Sequence, residues 1–185
     1  MKKIVWMSTL ILSLLLFTLI SLLVTSIIVL FSDSDVLSFT QSNGAHMWIG
    51  LEVSGSWQGI AQTLGEHGFD SVLWLGLVQL LPFFLINIIL IRLFLLYRCG
   101  SFFTIENIQC FKWLGGLLLA QFALVVCYPP LLITLLNFAT GTDMGRVVTI
   151  QDTDIIGLVV GLIIYVIGWI MGQAQQLQEE QELVI

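Results

Sequence analysis

The amino-acid sequence predicts an all-α integral membrane protein with four transmembrane helices and both termini in the cytoplasm. Three observations lead to this fold class: a shortage of charge, four long apolar stretches and an uneven distribution of basic residues. Hydrophobic residues make up 58% of the 185 residues and charged residues 10%, against about 25% charged residues in an ordinary globular domain. Six Lys and Arg with twelve Asp and Glu cannot give such a chain a polar surface, so lipid must surround most of it.

The four spans follow from length, because a transmembrane helix needs about 20 predominantly apolar residues. Residues 4–31, 71–97, 114–138 and 155–171 meet this requirement. The first stretch carries no charge and exceeds the roughly 7–15 apolar residues of a secretory signal core. No small-x-small cleavage site follows it, so we expect an uncleaved anchor.

The basic residues predict the orientation, because cytoplasmic segments carry the excess of Lys and Arg. Four spans place Arg146 on one side of the bilayer and the other five on the opposite side, namely Lys2, Lys3, Arg92, Arg98 and Lys112. We therefore expect a single membrane domain over residues 1–185. Its cytoplasmic parts are a loop at 98–113 and a tail at 172–185, and its outer loops lie at 32–70 and 139–154.

The outer loops predict a small extracytoplasmic cap of short strands and an amphipathic helix. His46–Val53 alternates between apolar and polar residues, which is typical of a strand. A second β-rich stretch, Arg146–Ile150, is the partner we expect for it. Between them, Trp57, Ile60, Ala61 and Leu64 recur at helical spacing behind Ser56 as N-cap, with Gly65 as stop signal. This helix is expected to lie on the bilayer or on the bundle.

Composition and motifs exclude several functions. A net charge of −6 without a run of Lys or Arg argues against direct nucleic-acid binding. Enzyme motifs are absent, and no Asp, Glu, Lys or His lies in the middle of a span. We therefore expect no enzyme, no cofactor and no metal. Cys99, Cys110 and Cys127 are interpreted as structural thiols, and the polar loop residues His46, Glu66, His67 and Asp70 as solvated, because their spacing fits no metal site.

Two sets of residues in the spans are candidates for helix packing or for a pocket. Gly157, Gly161, Gly168 and Gly172 form a narrow stripe that favours packing against another helix of the chain; a homodimer seam and a ligand lining are the alternatives. Gln79, Asn87, Gln121 and Tyr128 are the possible polar pocket. Asn87 and Gln121 reach similar depth and are expected to hydrogen-bond. Pro82 and the pair Pro129-Pro130 are expected to break or kink their helices.

Two predicted cytoplasmic stretches carry a family resemblance. The first is Tyr97-Arg98-Cys99-Gly100-Ser101-Phe102-Phe103-Thr104-Ile105-Glu106-Asn107, and the second is Leu177-Gln178-Glu179-Glu180-Gln181-Glu182-Leu183-Val184-Ile185. Together they resemble the YoaS-like bacterial inner-membrane family of unknown function (domain of unknown function 2975). The sequence departs from the family pattern at Val184, where Thr is usual, and at Cys110, where a basic residue is common.

The resemblance implies a four-span protein of the bacterial inner membrane whose relatives are typically encoded beside a small helix-turn-helix regulator. The leading hypothesis is a non-enzymatic membrane regulator or sensor that acts with such a transcription factor. The expected contact surface comprises Tyr97, Arg98, Gly100, Phe103, Thr104, Asn107, Leu177, Glu180, Glu182 and Leu183. The alternatives are a small channel- or transporter-like homo-oligomer, and an enzyme or binding protein for a lipid or quinone.

The residues of this surface also predict local structure. Thr104 is expected to N-cap a helical turn whose residues Ile105, Ile108 and Phe111 lie on the membrane surface. Gly100 permits the turn out of the second span. The tail ends in three apolar residues, Leu183, Val184 and Ile185, so we expect it to dock on the 98–113 loop or on a partner.

Overall fold

The computed structural model describes residues 2–31, 36–40, 46–50, 53, 55–100, 104–141, 143–145 and 148–182. For residues 2–5, 28–30, 36–40, 46–50 and 182 this description covers the backbone. The elements are α1 (Lys2–Phe31), β1 (Val36–Thr40), β2 (His46–Gly50), α2 (Gln58–Glu66), α3 (Leu77–Arg98), α4 (Ile105–Thr140) and α5 (Asp152–Glu182). A π-helical turn, Val72–Gly76, leads directly into α3.

Among the described residues, four helical segments are long and apolar enough to cross a membrane: Trp6–Ile27, Val72–Arg98, Ile105–Thr140 and Asp152–Gln181. The prediction of four such helices is confirmed. Large apolar side chains stay exposed along all four, as expected where lipid replaces water. The last two helices extend beyond the predicted spans 114–138 and 155–171, because the polar turns next to these spans continue the same helices. The sidedness of the termini stays a prediction.

Contacts divide the chain into two compact units, each treated separately. The first unit contains Met1–Leu19, Phe84–Phe122 and Asp152–Ile185, and the second contains Ile20–Phe83 and Ala123–Gln151. The single-domain boundaries drawn from the sequence are not tested by this division.

Side-chain hydrogen bonds join α1 to α3 in the first unit. Ser8 Oγ donates to the carbonyl of Phe94 over 2.8 Å, and Asn87 Nδ2 donates to Thr18 Oγ1 over 2.9 Å. Asn87, which we expected to hydrogen-bond Gln121, therefore donates its Nδ2 hydrogen bond to Thr18. The reason is that Thr18 of α1 places a hydroxyl beside Asn87. The sequence around Asn87 does not show which helix lies next to it.

A β-hairpin lies in the second unit. β1 and β2 pair antiparallel, from Thr40 opposite His46 to Val36 opposite Gly50. The predicted strand is thus present over His46–Gly50, but its predicted partner was wrong. Residues 148–150 have no regular secondary structure, and the rest of Arg146–Ile150 lies outside the described residues. His46–Gly50 pairs with the nearby β1 because closing the short loop between them costs less chain entropy than closing a long one.

The core of the second unit forms under α2. Trp57, Ile60 and Leu64 are buried in one cluster with residues from the segment before α2, the π-helical turn, α4 and the segment after α4. The amphipathic helix therefore packs on protein, which is one of the two placements expected for it. The other members of this cluster are Val53, Leu75, Leu132, Ile133 and Met144.

The ends of α2 differ from the predicted signals. A 3₁₀ turn, Gly55–Trp57, precedes the helix and makes Trp57 the N-cap residue instead of Ser56. The helix also continues past Gly65 and ends at Glu66, with His67 as C-cap and Gly68, whose φ is +77°, directly after it. The amide of Phe69 donates to the carbonyl of Leu64 over 2.9 Å, and that of Gly68 to Gly65 over 3.0 Å. This is a Schellman motif, which needs its left-handed glycine after the last helical turn.

Helix α4 continues through Pro129 and Pro130, so the expected break does not occur. α3 likewise continues through Pro82. Proline has no amide hydrogen, so Pro129 and Pro130 cannot donate to the carbonyls four residues earlier, those of Val125 and Val126. The indole Nε1 of Trp57 donates to the Val125 carbonyl over 3.2 Å. A side chain from α2 thus supplies the hydrogen bond that Pro129 cannot make.

Tyr128 completes this arrangement, which we call the aromatic latch (Trp57, Tyr128 and the Trp74 carbonyl). Its ring stacks on Trp57 with centroids 5.5 Å apart and an interplanar angle of 28°. Its hydroxyl donates to the carbonyl of Trp74 over 2.8 Å. Trp74 lies in the π-helical turn, where the regular helical hydrogen-bond pattern is altered. The latch therefore connects α2, α4 and the turn before α3.

We predict that Trp57→Phe lowers the unfolding temperature in mild detergent. Phenylalanine keeps an aromatic ring but leaves the Val125 carbonyl without its donor, which costs about 1–3 kcal/mol for a buried polar group. Pro129→Ala supplies an amide hydrogen to the same carbonyl. In the Pro129→Ala background, Trp57→Phe should therefore lower stability clearly less than in the unmodified chain. The loss of ring packing is the same in both backgrounds, so the difference measures the hydrogen bond. An equal loss in both backgrounds would contradict the hydrogen-bond argument.

Candidate functional site

The first unit is organised by close packing of α4 on α5. A Cβ atom at Gly161 would lie 2.8 Å from Leu118 Cβ, and one at Gly168 would lie 3.0 Å from both the Lys112 amide and Phe111 Cβ. A Cβ at Gly115 would lie 2.6 Å from the backbone nitrogen of Tyr165. The two backbones therefore approach more closely than any side chain permits.

The predicted glycine stripe only partly lines this seam. Gly161 and Gly168 face α4 closely, a Cβ at Gly172 would make ordinary contacts with Ile108 and Lys112, and one at Gly157 would meet nothing within 4 Å. Gly115, which makes the tightest approach, was not part of the predicted stripe. Its pairing with Gly116 in an otherwise bulky stretch was the available signal.

The seam fixes the first turns of α4 against the protein. Ile108 is only 6% exposed and Cys110 is also buried. The expectation that Ile108 rests on the membrane surface is therefore wrong, because α4 begins at Ile105 and its first turns already pack on α5. Ile105 points away from this packing and is exposed.

The end of α3 carries the first residues of the predicted contact surface. Arg98 and Gly100 are exposed, and Tyr97 is half-buried with its ring edge-on to Phe94 at 5.8 Å. Gly100 has φ +80°, and its amide donates to the Tyr97 carbonyl over 3.1 Å. This left-handed residue ends the helix, as predicted from its lack of a Cβ.

The start of α4 carries Thr104 and Asn107. Thr104 occupies the N-cap position, and its carbonyl accepts from the Ile108 amide over 3.1 Å. Its buried Oγ1 makes no hydrogen bond within the described part of the chain, so the expected side-chain cap is not formed. Asn107 is 0% exposed and therefore lies beneath the surface. Phe103 lies outside the described residues.

The tail residues extend α5 as a helix up to Glu182. Leu177 is 59% exposed and so is not packed on the chain. The three terminal residues on which the predicted docking rests, Leu183–Ile185, lie outside the described residues. Glu179 and Glu180 are exposed, and Gln175 Nε2 donates to Glu179 Oε1 over 3.1 Å. Leu183 and the side chain of Glu182 lie outside the described residues. The result is an exposed helical extension, residues 173–182, with carboxylates and one exposed leucine.

The four residues of the possible polar pocket are divided between the units. Asn87 and Gln121 belong to the first unit, whereas Gln79 and Tyr128 belong to the second. Asn87 donates to Thr18, and its buried Oδ1 has no hydrogen-bond partner among the described residues. Tyr128 is part of the aromatic latch. Asn137, a further amide in the spans, pairs with both backbone polar groups of Met144 over 3.0 Å each.

An apolar groove lies in the second unit, on the face of α4 that does not carry the core. It is shallow and wide open to its surroundings, with a volume of about 630 Å³. Thr134 Oγ1, in this groove, donates to the Pro130 carbonyl over 2.6 Å. None of the four predicted pocket residues lines it. The lining consists of Val126, Cys127, Pro130, Leu131, Thr134, Leu135 and Val148.

The loop residues considered as metal ligands have structural roles where they are described. Asp70 Oδ1 accepts from the amides of Val72 and Leu73 over 3.0 and 3.2 Å, and so caps the helix that follows. His67 Nδ1 lies 2.8 Å from the Thr63 carbonyl. Within the described ranges, no three His, Cys, Asp or Glu side chains gather as a ligand set. Cys99, Cys110 and Cys127 are free thiols.

Comparison with known proteins gives one match. The family described as "Protein of unknown function (DUF2975)" matches residues 1–185. The chain belongs to the DUF2975 family. The family membership predicted from the two motifs is thus confirmed, while the YoaS-like name and the bacterial origin stay predictions. A search of curated proteins and a search of solved structures found no match to this DUF2975 chain.

We predict that Gly161→Ala destabilises this DUF2975 protein, because the new methyl group would lie 2.8 Å from Leu118 Cβ. The same change at Gly157 is the matched control, since it meets nothing within 4 Å and gains about 0.5–1 kcal/mol of helix propensity. Unfolding temperatures in detergent should therefore fall for Gly161→Ala and stay or rise for Gly157→Ala. Equal values for the two variants would contradict close packing at the seam.

Proposed function

We propose that this protein is a non-enzymatic membrane regulator that recruits a cytoplasmic protein through residues 173–182 of α5. The observation that carries the proposal is the continuation of α5 as one helix beyond its apolar part, with Leu177 and two carboxylates exposed. A helix that bears an exposed leucine among polar residues, on the water side of a span, suits a protein contact better than a membrane contact.

The charge of this extension favours a basic partner. Glu179 and Glu180 lie near the C-terminus of α5, where the last turn has no basic residue. The negative end of the helix dipole and the carboxylates repel each other there. A cationic surface placed against them would relieve this repulsion. Helix-turn-helix proteins carry such a surface where they face DNA, so the small regulator implied by the family resemblance is the proposed partner.

The amides in the spans favour this function over the channel or transporter alternative. Asn87 donates to Thr18 and Asn137 pairs with Met144, so both take part in bonds that hold the chain together. The groove on α4 is lined mainly by apolar side chains. A path for polar solutes needs polar groups along its wall.

The proposal requires that the chain lies in a bacterial inner membrane and that residues 173–182 are on its cytoplasmic side. We predict that single cysteines introduced at positions 100 and 180 of a cysteine-free variant share one side, and that one at position 60 lies on the other side. The reason is the five-to-one distribution of basic residues. An impermeant thiol reagent added to intact cells should label position 60 only. Labelling of position 180 from outside would contradict the orientation and with it the recruitment proposal.

We also predict that Glu179→Lys combined with Glu180→Lys abolishes co-purification of a basic helix-turn-helix protein in mild detergent. Both side chains are exposed, so insertion and unfolding temperature should stay near those of the unmodified chain. The matched control is Asp143→Lys with Asp152→Lys, which changes the net charge equally at exposed positions away from the extension.

Retention of the partner by the control, and its loss from the tail variant, would support recruitment through the α5 extension. Retention by both variants would contradict it. Weaker binding at higher salt is expected for the unmodified chain, because exposed charges are screened.

A further inference from the structure

We propose that the seam between α4 and α5 binds the phosphate group of an anionic phospholipid at its predicted cytoplasmic end, with the ammonium group of Lys112 as the cation. The residues of this site all belong to the first unit. The proposal goes beyond recruitment through the α5 extension, and its experiment uses the purified chain without any partner protein.

The first argument is the position of the Lys112 side chain, which follows from the glycines of α5. A Cβ atom at Gly168 would lie 3.2 Å from Lys112 Cγ, and one at Gly172 would lie 3.5 Å from Lys112 Nζ. The side chain therefore runs along α5 for about one helical turn, towards the N-terminus of α4, as long side chains in helices do. Packing places its ammonium group beside Gly172, and the lysine as a whole is half-buried.

Two glutamines lie on the same side of the seam as this ammonium group. The helices are antiparallel, since rising residue numbers in the glycine stripe of α5 meet falling numbers in α4, and Ile108 faces Gly172. The next residue on each helix is about 100° further round. This rotation turns Gln109 and Gln173 to one common side, where both are exposed. Lys112, four residues after Ile108, is rotated by about 40° in the same direction.

The same side of α5 passes from apolar to polar residues at this level. Leu162, Val166 and Trp169 recur at helical spacing with Gln173, and all four are exposed. Exposed tryptophan is typical of the boundary between the acyl chains and the headgroups of a bilayer. Lys112 Nζ lies beside the residue three positions after Trp169, which is about 4.5 Å further along the helix axis. The ammonium group is therefore at the level of lipid headgroups.

The charge of the site favours an anion. Among the described residues of this unit, the carboxylates at the same end lie away from the ammonium group. Glu106 is two residues before Ile108 and therefore about 200° round α4, on the far side from the glutamines. Glu179 and Glu180 lie about 10 Å or more further along α5 than the ammonium group. That distance exceeds the Debye length of about 8 Å at physiological ionic strength, so the lysine keeps its charge for another anion.

A phospholipid supplies both parts that this surface requires. Its phosphate oxygens accept charge-assisted hydrogen bonds from an ammonium group, and the glutamine amides are further donors. Its acyl chains lie along the exposed side chains of Leu162 and Val166. Basic groups between transmembrane helices on the cytoplasmic side are typical sites for anionic headgroups. A zwitterionic headgroup is disfavoured, because it brings a second cation close to Lys112.

The test offers two phospholipids with identical acyl chains, phosphatidylglycerol and phosphatidylcholine, in equal amounts to the purified full-length chain in mild detergent. Native mass spectrometry measures which lipid stays bound. Phosphatidylglycerol should be retained about three- to tenfold more often, as expected for one charged hydrogen bond near a surface. Excess inorganic phosphate should not displace it, because phosphate lacks the acyl chains. Equal retention of the two lipids, or displacement by inorganic phosphate, would overturn the proposal.

Variants of the cation assign the preference to the seam. Lys112→Gln should abolish the preference for phosphatidylglycerol, whereas Lys112→Arg should keep it, because a guanidinium group also binds phosphate. The matched control is Arg98→Gln, which removes one exposed cation from the end of α3 and should keep the preference. A Lys112→Gln chain that still prefers phosphatidylglycerol, or an equal loss in Arg98→Gln, would contradict the assignment.

A second variant keeps the test independent of packing, since the stem of Lys112 contributes to the seam. Gln109→Ala combined with Gln173→Ala changes two exposed side chains and leaves the lysine in place. Its unfolding temperature in lipid-free detergent should match that of the unmodified chain, while its retention of phosphatidylglycerol should fall about threefold, as for the loss of neutral hydrogen bonds. Unchanged retention would count against a headgroup at this side of the seam.

Discussion

The need to satisfy every backbone polar group in a lipid environment shapes the second unit. Two adjacent prolines remove two helical donors from α4, and an unsatisfied carbonyl at this position would be costly. Trp57 supplies one replacement donor and can reach it only if α2 lies against α4. That placement buries the apolar face of α2, brings Tyr128 onto the indole and positions the Tyr128 hydroxyl near the Trp74 carbonyl. The core therefore forms around the place where the helix lacks its own hydrogen bonds.

The first unit depends on a different constraint, the close approach of α4 and α5 at glycine residues. Gly115 and Gly161 let α4 and α5 approach so closely that a Cβ atom at either position would clash with the facing helix. Lipid tails are as apolar as the side chains they replace, so packing of this kind drives helix association in a bilayer. This packing also changes the predicted contact surface. Asn107, one of its residues, and the neighbouring Ile108 are buried. Arg98 and Gly100 stay exposed at the end of α3, and so does the last part of α5 with Leu177 and two carboxylates.

Polar residues in the spans act here mainly as structural links. Asn87 binds a hydroxyl on α1, and Asn137 closes the segment after α4 by pairing with Met144. These bonds explain why amides are tolerated in apolar helices without marking a path for solutes.

Composition and periodicity by themselves determined the four long apolar helices, the apolar face of α2 and the glycines of α5, and a resemblance of two short motifs indicated the family. Each of these features depends on residues that are close together in the sequence, so a short stretch is enough to predict it. Only the tertiary structure decided that β1 pairs with β2, that Asn87 bonds Thr18 and that Trp57 replaces the donor missing at Pro129. It also decided that Asn107 is buried and that Gly115 makes the tightest contact. The physical reason is that most of these contacts join residues far apart in the chain, whereas the hairpin depends on a short loop costing less entropy than pairing with a more distant strand. Which partner each group bonds depends on distances and directions in the folded chain, and a local sequence pattern does not contain them.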